Sequence, residues 1–343
     1  MSVRQRRTDD LTKAPRAASG SSAQLPTTAQ LKLDSASAAA RSAPSHAAAL
    51  ECSIGIMAYN EETNIGQLIE ALLHQRTTHC RIREIVVLAS GCTDSTEAIV
   101  SGWARRHHNI KLVSQPRREG KASAVNSFLR NSRSEILVLA GADTLPTPVT
   151  IERLVEPFLQ PEVGMTGARP IPVNDPSTFM GFASHFLWEL HHQVALRQPK
   201  LGELTAFRRV FFRIPFNSAT DEANIEPLIQ GQGYELRYVP ESVVHNRGPA
   251  TVQDFLKQRR RIHAGHLRIY RKQGYAVSTL DTARIVKALL RNWQWSWRQV
   301  PWIVAIISLE VYARLLGWID DKFRGPGHHV VWEVASTTKE AIR

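Results

Sequence analysis

Four short apolar runs, at residues 52–58, 85–89, 110–114 and 136–140, alternate with three stretches of helical character. That alternation restricts this chain more than any other feature. A run such as Ile-Leu-Val-Leu-Ala at 136–140, apolar at every position, fits a strand buried on both faces. Strands separated by helices build a mostly parallel, doubly wound α/β sheet. Between the first two runs, Ile65, Leu68, Ile69 and Leu72 recur at helical spacing, and further helices are expected over 97–106 and 122–129. In sheets of this kind ligands sit beyond the carboxyl ends of the strands. The residues that follow each run are therefore where chemistry is expected.

After the first run come Tyr59, Asn60 and Glu61, after the second a Gly-containing turn with Asp94, after the third Arg118 and Lys121, and after the fourth Asp143. Tyr59, Asn60 and Glu61 suit a nucleobase or ribose, and Arg118 and Lys121 suit a diphosphate. Asp143 stands where a lone carboxylate can hold a divalent cation against a diphosphate. Mg2+ takes one or two protein carboxylates and completes its shell with phosphate oxygens and water. Asp94 and Asp143 equally suit turn or helix capping, so only their convergence with the other tips argues for a site. Pro146 and Pro148 are expected to stop the fourth strand and open a helix.

The pieces SIGIMAYNEETNI (53–65), IVVLASGCTDSTEAIV (85–100), REGKASAVNSFL (118–129) and ILVLAGADTLP (136–146) resemble, in order and spacing, the family 2 glycosyltransferases of the GT-A fold. The resemblance extends over roughly residues 51–271. It implies a nucleotide-diphosphate-sugar donor, a Mg2+ or Mn2+ ion and inversion at the anomeric carbon. Two positions depart from the family pattern. An acidic residue usually precedes the SGCTD-like turn, where uracil is held; here Ala89 and Ser90 stand there. The Asp-x-Asp metal motif reads Gly141-Ala142-Asp143, so the first acid, which helps hold the ribose, is lost, and the usual metal ligand remains.

Strands are expected over 163–168 and 202–208, with a long helix over 176–197. That helix carries His185, His191 and His192, which lack metal-ligand spacing and fit core or surface histidines better. The segment from Asp221 to His245 resembles the family's acidic pair, followed by Gly-Tyr and a strand. An inverting transfer needs a base within hydrogen-bond reach of the acceptor hydroxyl. Matching Gly233-Tyr234 to the family's Gly-Tyr places Glu222 at the base position. The order of the two acids is swapped relative to the family, which keeps Asp221 as a rival; without that context both are acids favoured at a helix N-terminus. Gln258-Arg259-Arg260-Arg261-Ile262 resembles the family's Gln-x-x-Arg-Trp. Gln258 and Arg261 share a helix face, and the resemblance puts Arg261 on the departing diphosphate. Ile262 replaces the Trp of the processive polysaccharide synthases, which argues against a standard polymerase.

The net charge of +12 is concentrated: residues 256–298 hold eleven Lys and Arg against the single acid Asp281. Such a run suits phosphates or an anionic membrane surface. It lacks a groove-reading motif, so nucleic acid is not an expected partner. Cys52, Cys80 and Cys92 have no metal spacing and fit a reducing compartment. No Gly-rich phosphate loop lies near 53–60, which argues against a nucleotidyltransferase. Residues 301–319 are mostly apolar but include Glu310 and Arg314 at i, i+4, preceded by Trp293, Trp295 and Trp297. This segment is compatible with an interfacial helix, a single span or a buried helix. The tail, ending Trp332…Thr337-Thr338-Lys339, resembles the ending of membrane-linked transferases but has no role readable from its residues.

The expected organisation is a disordered Ala/Ser-rich arm at 1–50, without the apolar stretch of a secretory signal. A GT-A domain follows at 51–250, with a nucleotide-sugar half (51–145) and an acceptor half (146–250). A basic helical segment (251–298) and an amphipathic or membrane-associated helix and tail (299–343) complete the chain. With at most one span there is no self-made polymer channel. The expected reaction is thus transfer to a lipid-linked or small hydroxyl acceptor at the cytoplasmic membrane face. The alternatives are a non-catalytic nucleotide-sugar or membrane-surface binder and a polysaccharide-synthase-like transferase.

Overall fold

The computed structural model describes residues 49–215, 222–275, 287, 296–323 and 336–342, all within one compact unit spanning Ala49–Arg343. The expected arm at 1–50 lies almost wholly outside the described residues, and so does Asp221.

The four apolar runs are strands: β1 (Leu50–Ala58), β2 (Cys80–Ser90), β3 (Ile110–Gln115) and β4 (Ile136–Gly141). They are separated by helices α1 (Ile65–Leu73), α2 (Thr96–Arg106) and α3 (Lys121–Asn131). β1 pairs in parallel with β2 on one side and β4 on the other, and β2 pairs in parallel with β3. Strand order therefore runs outward from β1 to β3, then returns to the other side of β1 with β4. A reversal of this kind opens a crevice at the carboxyl ends of the two strands that flank it. Tyr59 directly follows β1, and Asp143 comes two residues after the end of β4.

Residues on β4 alternate faces as a doubly covered strand requires. Ile136, Val138 and Ala140 join one core with Ile54, Ile56, Ile65, Leu68 and Leu72. Leu137 and Leu139 join the other with Val86, Leu88, Val125, Phe128 and Phe207. At the opposite ends of the strands from the crevice, the buried Glu84 accepts hydrogen bonds from Ser53 Oγ (2.8 Å), Arg133 N (2.7 Å) and Lys111 Nζ (2.5 Å). Burial alone would raise this carboxyl, but these donors outweigh it and hold the pKa below its ordinary value.

The chain departs from the expected pattern after Asp143. Pro146 does not open a helix. It ends a short edge strand, β5 (Thr144–Pro146), antiparallel to β8 (Glu235–Asn246), and helix α4 starts later (Thr150–Val155). An edge strand tolerates proline because one side of it needs no ladder donor. The second half also mixes directions. β7 (Leu204–Arg208) is antiparallel to both β4 and β6 (Val163–Pro172), while β6 and β8 are parallel. The full order is β3-β2-β1-β4-β7-β6-β8-β5. Helix α5 (Phe179–Ala195) packs on β6, and α6 (Glu222–Gln230) packs on β6, β7 and β8.

Beyond the sheet lie α7 (Val252–Gln273) and α8 (Val300–Phe323), joined face to face. Three arginines of the basic run are paired there. Arg259 grips Glu310 with two bonds (2.6 and 2.8 Å), and Arg314 adds a third (2.9 Å). Arg260 pairs with Asp320 and Arg271 with Asp321. These three arginines thus pair with acids of the apolar helix some 50 to 60 residues away, contacts that the sequence pattern did not reveal. α8 is amphipathic in an unusual sense. Ile303, Ile306, Ala313, Gly317 and Asp320 are buried, while Val304, Ile307, Val311, Leu315 and Trp318 stand exposed. One side is packed and the other is apolar and open, so a wholly buried helix is ruled out.

Glu310 is held down to about 2: burial would raise it, but the Arg259 and Arg314 charges dominate. Its stabilising contribution is therefore complete above its ordinary pKa of 4.5 and is lost as pH falls toward 2. Glu310→Ala leaves two guanidiniums without their carboxylate. The expected cost in urea unfolding at pH 7 is about 3–5 kcal/mol. Glu310→Gln should also flatten the acid limb of stability between those two pH values. An unchanged limb would show that the pair adds nothing.

Candidate active site

The strand tips are laced together by their own side chains. Asn60, in the left-handed region at φ 51°, donates from Nδ2 to Thr93 Oγ1 (3.0 Å) and accepts from Thr93 N (2.8 Å). Asp94 accepts from Glu62 N (3.1 Å) on one oxygen and from Thr96 N (3.0 Å) and Thr96 Oγ1 (2.6 Å) on the other. Burial would raise Asp94, but the Thr96 hydroxyl and these N–H groups hold it low. Asn60 and Asp94, expected as donor ligands, thus have their polar atoms committed to joining the β1 and β2 turns. Asp94 precedes Ser95, the N-cap of α2, and closes a turn onto Thr96 N.

Gly91 makes the next junction. It sits at φ +64°, and a Cβ there would meet Arg118 N at 2.5 Å. Only a glycine lets the β2 turn close against the β3–α3 loop. Ser90, at the family's acidic position, is buried and accepts from Glu119 N (3.3 Å), so it too ties these loops. The Arg118 guanidinium then lies 3.9 Å from the centre of the Tyr59 ring, within cation–π range. Lys121 is the first residue of α3, directly after Gly120.

Asp143 differs from its neighbours. Thr144 Oγ1, not Asp143, closes the turn, by donating to Gly141 O at 2.8 Å. No hydrogen bond or ion pair to Asp143 occurs among the described residues. The capping role that its position allowed is taken by Thr144. A Cβ on Gly141 would lie 2.6 Å from Asp143 Oδ1, so the missing first acid coincides with an Asp143 carboxylate folded back over that position.

Glu61 lies close enough for the Asp143 charge to act on it. It is buried, with Oε1 paired to Lys339 and Oε2 without a partner among the described residues. Burial first, and Asp143 second, push its pKa up to about 7 against the opposing pull of Lys339. Two carboxylates with an orphaned buried oxygen fit a divalent cation, which needs only one or two protein carboxylates. Among the described residues no three His, Cys, Asp or Glu side chains gather into a fuller metal cage. The histidines of α5 are engaged otherwise: His185 Nε2 lies 2.9 Å from Asn174 O, and His192 Nδ1 lies 2.9 Å from the Tyr238 hydroxyl. His191 is buried, and burial depresses its pKa well below the ordinary value.

Glu222 opens α6. Earlier in the chain, Asn126 of α3 accepts from Ile214 N (2.7 Å) and donates to Ile214 O (3.0 Å). One turn further on, the buried Glu226 accepts from Leu201 N (3.0 Å) and the Tyr275 hydroxyl (2.8 Å). Gln258 and Arg261 are carried on α7 rather than on a strand tip. Sequence reasoning singled out neither Asn126 nor the contacts of Lys339 with the turn after β1. The turn signature around Asn60 was legible, but the lysine that holds it comes from the far end of the chain.

The strand order and the mixed directions of its second half give this sheet the GT-A arrangement. The mannosyltransferase PcManGT from Pyrobaculum calidifontis, solved with GDP-Man and Mn2+, shares this fold: TM-score 0.59 and 20% identity, covering 86% of this chain and 94% of that chain. The chain belongs to glycosyl transferase family 2, whose family model matches residues 53–225. It is 33% identical over 93 residues to the dolichyl-phosphate beta-glucosyltransferase ALG5C of Trichomonas vaginalis, covering 26% of this chain and 28% of that protein. It is 20% identical over 262 residues to a poly-beta-1,6-N-acetyl-D-glucosamine synthase of Staphylococcus epidermidis, covering 73% of this chain and 61% of that protein. Each of these two matches spans less than two thirds of the relative's own length.

Proposed function

We propose that this protein transfers a sugar, with inversion, from a nucleotide-diphosphate donor to a lipid-linked or small hydroxyl acceptor at the cytoplasmic face of a membrane. The observation that carries the reading is the convergence of Tyr59, Arg118 and an unengaged Asp143 at the sheet reversal. Asp143, with Glu61 beside it, would hold Mg2+ or Mn2+. When bound, such an ion neutralises charge on the leaving diphosphate. Arg118, Lys121 and Arg261 bind phosphate oxygens, and the tip of β1 carries the nucleoside.

Glu222, or its neighbour Asp221, takes the proton of the acceptor hydroxyl as that oxygen bonds to the anomeric carbon. The bond from that carbon to the diphosphate breaks, and the nucleoside diphosphate leaves with the electron pair. Charge grows on the leaving group during this step, so fixed cations near it lower the barrier.

The membrane part of the proposal draws on the exposed apolar side of α8. Val304, Ile307, Val311, Leu315 and Trp318 form a stripe suited to the headgroup boundary, while Glu310, Arg314 and Asp320 are paired at the protein side. This favours a helix lying in the interface over one that spans. The dolichyl-phosphate glucosyltransferase relatives are consistent with a lipid acceptor.

The test is consumption of a panel of nucleotide-diphosphate sugars by the purified full chain with phospholipid vesicles, with Mn2+ or Mg2+ and with a chelator. One donor should be turned over with metal and spared with chelator. If no donor is bound or consumed by folded protein, the non-catalytic alternative takes its place.

A further inference from the structure

We propose that the C-terminal segment at residues 336–342 completes the donor site, with Lys339 as the positioning residue that fixes the turn after β1. The proposal rests on reading the crevice as a nucleotide site. The Lys339 ammonium donates to Tyr59 O, to Asn60 O at 3.2 Å and to Glu61 Oε1. It also stands 5.5 Å from the Tyr59 ring centre. An ammonium has three protons to donate, and here three acceptors of one turn take them. All three belong to consecutive residues expected to face the nucleoside.

The turn needs such a hold. Asn60 adopts a left-handed conformation that costs energy for any residue with a side chain, although Asn tolerates it better than most. Glu61 is a buried carboxylate beside Asp143, and among the described residues Lys339 is its only ion-pair partner. Without that ammonium the buried Glu61 carboxylate would have no counter-charge, and the turn carbonyls would lose their donor. The Tyr59 backbone would then be free to shift, and with it the ring on which Arg118 rests.

The segment is anchored independently of the lysine. Thr337 donates from N (3.2 Å) and Oγ1 (2.8 Å) to Asp254 and accepts from Ala250 N (3.1 Å). Asn64 donates to Lys339 O (3.0 Å) and accepts from Ile342 N (3.4 Å), and Arg247 donates to Ala341 O (2.6 Å). Ile342 is buried. Asp254 lies in the first turn of α7, the helix that carries Gln258 and Arg261. One short segment therefore ties the nucleoside side of the crevice to the helix assigned to the departing diphosphate. Its contacts with the β1 turn and α1 entry bring it to the crevice rather than to the membrane-facing side of α8.

The experiment is calorimetric titration of UDP and GDP, each with Mn2+, into the full-length wild type and Lys339→Met. Thermal midpoints and the donor KM and kcat of both are measured alongside. The variant is expected to bind the preferred nucleotide about ten- to a hundredfold more weakly, the equivalent of one lost charge-assisted hydrogen bond. Its midpoint should fall as the turn loses its hold, and the loss of activity should appear mainly in KM. Equal affinity in the two proteins overturns the proposal, as does tighter binding, which would make the segment an obstruction. Should Lys339→Met fold poorly, Thr337→Val loosens the anchor at Asp254 without touching the turn. It must then weaken binding in the same sense, and unchanged affinity refutes the proposal. A wild type that binds neither nucleotide counts against the nucleotide reading itself.

Discussion

Glu222→Gln is expected to lower sugar transfer by about 10²–10⁴-fold, the usual contribution of a positioned general base. Nucleoside diphosphate affinity should stay within about twofold, because the substitution removes an interaction made in the transition state rather than in the bound ground state. Gln matches Glu in shape and keeps an acceptor oxygen, so the substitution removes the charge and the basicity alone. The competing view is that this carboxylate only favours the helix N-terminus. That role is worth about 0.3–1 kcal/mol of stability and nothing in rate. Rate and thermal midpoint, measured together, separate the two. Asp221→Asn is the matched control, since the adjacent acid is the rival base. The variant with the larger loss of kcat identifies the base. Wild-type transfer rates in both would remove the acidic pair from the chemistry altogether.

The parts of this molecule legible in its sequence are those that local pattern determines. The unbroken apolar run at 136–140 became a strand with Ile136 and Val138 in one core and Leu137 and Leu139 in the other. The i, i+4 spacing of Glu310 and Arg314 became an ion pair at 2.9 Å. Asp94 was readable as a turn residue because its partner Thr96 is two residues away. The turns at the strand tips were legible for the same reason.

What stayed hidden depends on partners distant in the chain. Arg259 and Arg260 looked like cations awaiting phosphate, but their partners Glu310 and Asp320 lie 51 and 60 residues on. Pro146 reads locally as a helix opener, yet pairing of β5 with β8 gives it an edge strand instead. Glu61 carried no sign of its burial or of Lys339, 278 residues later. The tail motif was visible as a resemblance without a role, because its role is a contact. Local pattern thus gave the strands and the residues at their tips, while the charges there were arranged by tertiary contacts that no window of sequence contains.

Asp143→Ala is expected to remove metal-stimulated turnover, with a loss of about 10²–10³-fold, the scale of one electrostatic stabiliser of developing charge. Mn2+ binding, followed by the paramagnetic signal of the free ion, should weaken with it. The structure sharpens this expectation in two ways. Thr144 closes the turn, and no described residue bonds to the Asp143 carboxylate, so its removal should leave the thermal midpoint nearly unchanged. A residue kept for capping would show the opposite pattern, with lost stability and retained turnover. Gly141, meanwhile, leaves the space into which the Asp143 carboxylate folds, and any side chain there would collide with it. Restoring the family acid by Gly141→Asp must therefore displace Asp143, so it should weaken Mn2+ binding rather than strengthen it. Unchanged metal-dependent turnover in Asp143→Ala would move the cation to another ligand, and with it the donor diphosphate. The loss of the first acid and the folded-back position of the second belong together, since the space vacated by one is what the other occupies.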